Sequence, residues 1–188
     1  APLSSPDPKV RQEGMDALVY ALEDAKAYGT DAVLLVPGIV NKEVSYDQCW
    51  ERSTACIREV LPEAQRLGVK IGVENVWNHF LMSPLETVRY FDVGNILAFG
   101  WPEQWIDILG ERIVRIHIKD YSRTLADTQG PGAGFKVPLG EGENDWPAIM
   151  AALRKHYRSD WLTIEHAGGD TPEGLVHLEQ ALEPIIRS

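Results

Sequence analysis

Lys70-Ile71-Gly72-Val73-Glu74-Asn75-Val76-Trp77 reads as a buried strand that carries a carboxylate near its far end, where another aliphatic side chain belongs. Three later stretches repeat the arrangement: Tyr90-Phe91-Asp92-Val93-Gly94-Asn95, Val114-Arg115-Ile116-His117-Ile118-Lys119-Asp120 and Trp161-Leu162-Thr163-Ile164-Glu165-His166. Each is a short β-branched or aromatic run that closes on a titratable group. Four strands bringing Glu74, Asp92, His117 and Glu165 to one point would make a metal site.

The rest of the chain supplies the elements that would align those strands. Asp7-Pro8 is a helix start, an N-cap acceptor followed by a residue with no amide proton to waste. Val10, Met15, Leu18, Ala21, Leu22 and Ala25 then recur at helical spacing until Gly29. Ala32-Val33-Leu34-Leu35-Val36 is a buried strand. Ser45 caps a second helix with Trp50, Ile57, Leu61, Ala64 and Leu67 on its apolar side, and Pro62 is expected to kink or restart it. Pro102 to Leu109, Asp145 to about Tyr157, and Thr171-Pro172 to Ile186 read as further helices, whereas Tyr121 to Asn144 reads as a long Gly- and Pro-rich loop. Strands alternating with helices make a parallel α/β sheet. The segment from Trp77 to Arg89 is barely long enough for a parallel crossover, and Pro84 lies within it.

With 188 residues, 44% of them apolar and 24% charged, a single domain over 1–188 is expected. No apolar run reaches the roughly 20 residues of a membrane span. Ala1-Pro2-Leu3-Ser4-Ser5-Pro6 has neither the basic and apolar segments of a secretory signal nor an initiator Met. The formal net charge of −10 argues against a nucleic-acid surface. Cys49 and Cys56 lie two helical turns apart, about 10 Å, too far for an unstrained disulfide. Two free thiols fit a reducing cytoplasm.

Strand ends of a parallel α/β fold share one face, and active sites are built there. Three carboxylates and one imidazole suit a hard or borderline divalent ion such as Mn²⁺, Mg²⁺ or Zn²⁺. Any one of these residues alone is more often a helix cap, a surface charge or a satisfied imidazole; only their recurrence on successive strands points to a metal.

Gly72-Val73-Glu74-Asn75-Val76-Trp77-Asn78 with Ser83-Pro84-Leu85-Glu86 resembles the sugar phosphate isomerase/epimerase family. So do His117-Ile118-Lys119-Asp120, Leu139-Gly140-Glu141-Gly142 with Asp145-Trp146-Pro147, and Leu162-Thr163-Ile164-Glu165. The resemblance runs from about Leu3 to the C-terminus. It implies a xylose isomerase-like (β/α)₈ TIM barrel, here partial, with about five of eight strands present. It also implies that Glu74, Asp92, His117 and Glu165 bind one divalent metal, with Glu74 and Glu165 transferring the proton through an enediolate. Arg123, six residues after His117, matches the family's substrate-binding arginine, and Asn95 stands where the free-ketose epimerases have a His. Phe80 stands where they have a second Glu, so it can only shape an apolar wall. His79 and His166 read as structural neighbours of the motif.

The activity implied is metal-dependent isomerisation or epimerisation of a ketose or sugar phosphate. Dehydration of a keto-cyclitol or keto acid at the same site is the enzymatic rival, and a non-catalytic binding or structural remnant is the rival of another class. A small-molecule sugar is the expected partner, with neither nucleic acid nor membrane. Open strand edges in a partial barrel favour a homo-oligomer.

Overall fold

A computed structural model describes residues 2–83 and 90–188. It divides into two compact units, Ala1–Tyr90 and Phe91–Ser188. Among the described residues, no helix is long and apolar enough to cross a membrane.

The first unit is built from α1 (Pro8–Tyr28), β1 (Ala32–Leu35), α2 (Tyr46–Leu67) and β2 (Lys70–Val73). Asp7 caps α1 by accepting the Lys9 amide at 2.8 Å, and Gly29 ends it in the left-handed region that favours glycine. Ser45 opens α2 with a full capping box, its hydroxyl taking the Gln48 amide while the Gln48 side chain takes the Ser45 amide. β1 and β2 run parallel, with Val33 opposite Ile71 and Leu35 opposite Val73. Met15, Leu18 and Leu22 of α1 meet Cys56, Val60 and Ala64 of α2, with Val69 and Ile71, in one apolar cluster.

Two details of α2 differ from the sequence reading. The buried stripe is Cys49, Ser53, Cys56, Val60 and Ala64, whereas Trp50 is half exposed. Cysteine here behaves as a small apolar residue, which shifts the stripe by one position. The helix also continues through Pro62 without restarting. Pro62 and Arg58, whose carbonyl loses its amide partner, both lie on the exposed side, where water can take the oxygen. Both thiols are free and buried.

The second unit follows β3 (Tyr90–Asp92) with α3 (Val93–Leu97), α4 (Pro102–Leu109), β4 (Arg115–Ile118), α5 (Arg123–Gln129), α6 (Trp146–His156), β5 (Thr163–Ile164) and α7 (Pro172–Arg187). The strand order is β3-β4-β5, with β4 and β5 parallel. Ile116 and Ile118 of β4 point into a core with Ile106, Leu109, Ile149, Leu153 and Leu178 from α4, α6 and α7. Three elements go beyond the sequence reading. Val93–Leu97, read as a strand tail, is a helical turn. The stretch Tyr121–Asn144, read as a loop, contains α5 and a 3₁₀ segment, Pro131–Lys136. Ser122 caps α5 by accepting the Leu125 amide at 3.1 Å. The Pro84, Leu85 and Glu86 part of the crossover lies outside the described residues.

Candidate metal centre

Side chains alternate along β4 and the residue after it: Ile116 and Ile118 enter the core, while His117 and then Lys119 lie outside it. The register places His117 opposite Thr163 and Ile118 opposite Ile164. The Glu165 amide continues the ladder to the Ile118 carbonyl at 3.1 Å. Glu165 is thereby carried to the same end of the sheet as His117.

His117 Nδ1 lies 2.8 Å from Glu165 Oε2. Two ligand atoms each about 2.1 Å from one ion stand about 3.0 Å apart at a right angle and about 3.4 Å apart at a tetrahedral angle. The observed contact is that of an ion pair, and a divalent cation entering between this imidazole nitrogen and carboxylate oxygen, on the C-terminal ends of adjacent parallel strands, would part them by about 0.2–0.6 Å. Lys119 Nζ lies 2.9 Å from the other oxygen of the same carboxylate.

Glu74 belongs to the first unit. It follows β2 directly, its amide bonds the Leu35 carbonyl at 3.0 Å, and its side chain is buried together with that of Asn75. The β2 ladder thus fixes where this carboxylate emerges. Asp92 ends β3, and its side chain lies outside the described residues.

Arg123 is the first residue of α5. Its guanidinium donates to the carbonyls of Leu97 (2.7 Å) and Gly100 (2.5 Å) and stacks 5.1 Å from the Trp101 ring centre. Those bonds tie the α3–α4 corner to α5. Asn95 is buried within α3. Phe80 is an apolar wall in the first unit, packed on Tyr46 and edge-on to Trp50. His79 adopts a positive φ of 61°, uncommon for a residue other than glycine. His166 lies between two carbonyl oxygens, Val137 at 2.8 Å and Ala167 at 3.1 Å, a structural tie between β5 and the preceding loop.

Asp120 is the residue whose role the sequence reading did not assign. Fully buried, its carboxylate accepts the amides of Tyr121, Gly140 and Gly142, the Asn144 side chain and the Trp146 indole. One side chain thus joins the end of β4 to the loop before α6. A Cβ on Gly142 would collide with this carboxylate, which is why glycine stands there. The signal was in the sequence: His117-Ile118-Lys119-Asp120, Gly140-Glu141-Gly142 and Asp145-Trp146-Pro147 are motifs of one hydrogen-bonded knot.

The sequence profile described as "Xylose isomerase-like TIM barrel" matches residues 1–183. This chain belongs to the xylose isomerase-like TIM barrel family. Among family relatives, L-ribulose-5-phosphate 3-epimerase UlaE of Salmonella paratyphi C is 26% identical over 168 residues, covering 82% of this chain and 56% of its own length. A 3-oxo-isoapionate decarboxylase of Pectobacterium atrosepticum is 26% identical over 129 residues, 62% of this chain and 46% of the relative. Among solved structures, a D-tagatose 3-epimerase-like protein superposes with a TM-score of 0.82 at 17% identity, over 99% of this chain and 73% of the other. The IOLI protein with a bound zinc atom superposes with a TM-score of 0.70 at 18% identity, over 97% and 72%. The chain spans about half the length of the curated relatives it matches. In TIM barrels the C-terminal ends of the strands carry the active site, and those are the ends at which His117 and Glu165 meet.

Proposed function

We propose that this chain carries the metal-binding strands of a divalent-metal-dependent isomerase or epimerase acting on a ketose or sugar phosphate. The observation that carries the reading is the meeting of His117 Nδ1 and Glu165 Oε2, 2.8 Å apart, on adjacent strand ends. Glu74, which directly follows β2, and Asp92, the last residue of β3, are the other two proposed ligands. The UlaE relative, an L-ribulose-5-phosphate 3-epimerase, supports the same class of reaction.

A divalent ion, when bound, supplies Lewis-acid polarisation of the substrate carbonyl. The chain's own residues do the remainder. One of Glu74 and Glu165 takes the proton from the carbon beside that carbonyl. The other returns it, to the opposite face for epimerisation or to the neighbouring carbon for isomerisation. Burial of Glu74 keeps bulk water from competing for that proton. Asn95 and Arg123 are the proposed groups on the substrate's oxygens.

A second reading is loss of water from a keto-cyclitol or keto acid. The relative described as a decarboxylase of a 3-oxo acid favours it, since breaking a bond beside a carbonyl uses the same electron flow. The experiment incubates purified protein with Mn²⁺ in D₂O and a panel of D-tagatose, D-fructose and L-ribulose 5-phosphate. Deuterium entering beside the carbonyl with retention of mass skeleton is the expected result. E74Q and E165Q should each lose at least about 100-fold of that exchange. Absence of metal binding, or exchange unchanged in E165Q, overturns the proposal; loss of water selects the second reading.

A further inference from the structure

The register that brings Glu165 past the end of β5 also sets it beside Lys119, one residue beyond the pair Ile118 and Ile164. The two oxygens of Glu165 face different neighbours: Oε1 meets Lys119 Nζ at 2.9 Å, and Oε2 meets His117 Nδ1 at 2.8 Å. The Lys119 side chain is only 15% exposed, against 49% for Glu165. Its ammonium also lies 5.3 Å from the centre of the Phe135 ring. A cation held between an aromatic face and a carboxylate has little freedom to swing, whereas the half-exposed glutamate is fixed by what holds it. Phe135, His166 and Ala167 line the recess around the pair.

We infer that Lys119 is a positioning residue for Glu165: it holds Oε1 within this recess and leaves Oε2 alone to bind a divalent ion beside His117. The inference rests on the reading of Glu165 as a metal ligand. A carboxylate binds a cation through one oxygen or through both. A glutamate that also moves a proton needs an oxygen off the ion. Lys119 occupies one lone pair of Oε1 and keeps that oxygen from the metal, so it is not spent on the ion. The sign of the charge sharpens the argument. An ammonium beside the ligand repels a divalent ion, so a residue serving only to strengthen metal binding would not be a lysine. Removing it therefore tightens the ion while slowing turnover, a combination that lost packing does not produce.

The test is Mn²⁺ titration of the purified protein, following free ion by electron paramagnetic resonance, beside the exchange kinetics described above. K119M should bind Mn²⁺ about threefold tighter. Its kcat should fall about 10- to 100-fold, as for groups that orient metal ligands, with KM little changed. K119R keeps donors toward Oε1 and should recover part of the rate. Should circular dichroism show K119M unfolded, K119Q gives the same comparison with an uncharged donor. Weaker or equal Mn²⁺ binding in K119M, an unchanged kcat, or K119R no better than K119M overturns the role of Lys119. E165Q separates the two levels. If it binds Mn²⁺ as tightly as the wild type, Glu165 is no ligand, and both the metal reading and this inference fall. If E165Q weakens binding while K119M leaves it unaltered, the inference alone falls.

Discussion

Replacing Asp120 by Asn keeps the shape of the side chain and removes half of its accepting capacity. Oδ1 accepts from the Tyr121 amide at 2.9 Å and from Asn144 Nδ2 at 3.1 Å. Oδ2 accepts from the amides of Gly140 (2.9 Å) and Gly142 (3.1 Å) and from the Trp146 indole at 3.2 Å. An amide retains one oxygen, so even in its better orientation an NH₂ group faces the two donors of Oδ1. The site is fully buried, so water cannot replace the lost acceptor. At about 1–3 kcal/mol for each orphaned buried donor, D120N should lose about 2–6 kcal/mol. That is a large share of the roughly 5–15 kcal/mol by which domains are stable. Urea unfolding followed by far-UV circular dichroism measures it directly, and Tm should fall by about 5 °C or more. A D120N protein within about 1 kcal/mol of the wild type would refute the reasoning, because it would mean that the donors find other acceptors without strain.

Three further outcomes follow from the same geometry. S45A removes the hydroxyl that caps α2 and should cost about 1 kcal/mol in the same urea experiment. Glu143 accepts the Thr124 amide (2.9 Å) and the Ser122 hydroxyl (2.8 Å), and these bonds, the backbone one foremost, hold its carboxyl below the usual range. A lowered folded value means its stabilising contribution is present above about pH 4.3 and is lost as pH falls through that lower value. The acid limb of the stability curve should therefore be shallower in E143Q, measured by denaturant melts from pH 6 downward. Cys49 and Cys56 are buried, and burial pushes both thiols up from their ordinary value. A thiol reagent at pH 8 should label neither in the native protein and both after unfolding, as counted by mass spectrometry.

The helices were legible because their ends carry local chemistry. Asp7-Pro8, Ser45, Asp145 and Thr171-Pro172 each accept the amide that their position predicts. The strands were legible from β-branched runs, and the titratable groups at their ends identified the candidate ligands. What was not legible depended on partners distant in sequence. The helical turn Val93–Leu97 contains a glycine and two β-branched residues, so propensity argued against it. The region after Tyr121 looked irregular because its composition hid a cap at Ser122 and because its far end is organised by Asp120, about 20 residues upstream. Of the two outcomes expected at Pro62, a kink or a restart, the helix does not restart, because the cost of a lost helical bond depends on whether the freed carbonyl faces core or solvent, and periodicity does not say which.

β4 is a strand read in two phases. Ile116 and Ile118 belong to the core, and His117, with Lys119 just after the strand, belongs to the proposed site. The two sets answer to different demands, so substitutions at His117 and Lys119 bear on the proposed site while the two isoleucines go on folding the chain. A one-residue slip is the change neither set survives, because it would turn an imidazole and an ammonium into the core and two isoleucines into the site. The strand is therefore permissive to substitution on one face and intolerant of insertion anywhere along it, a division of labour that lets one scaffold take up new reactions without learning to fold again.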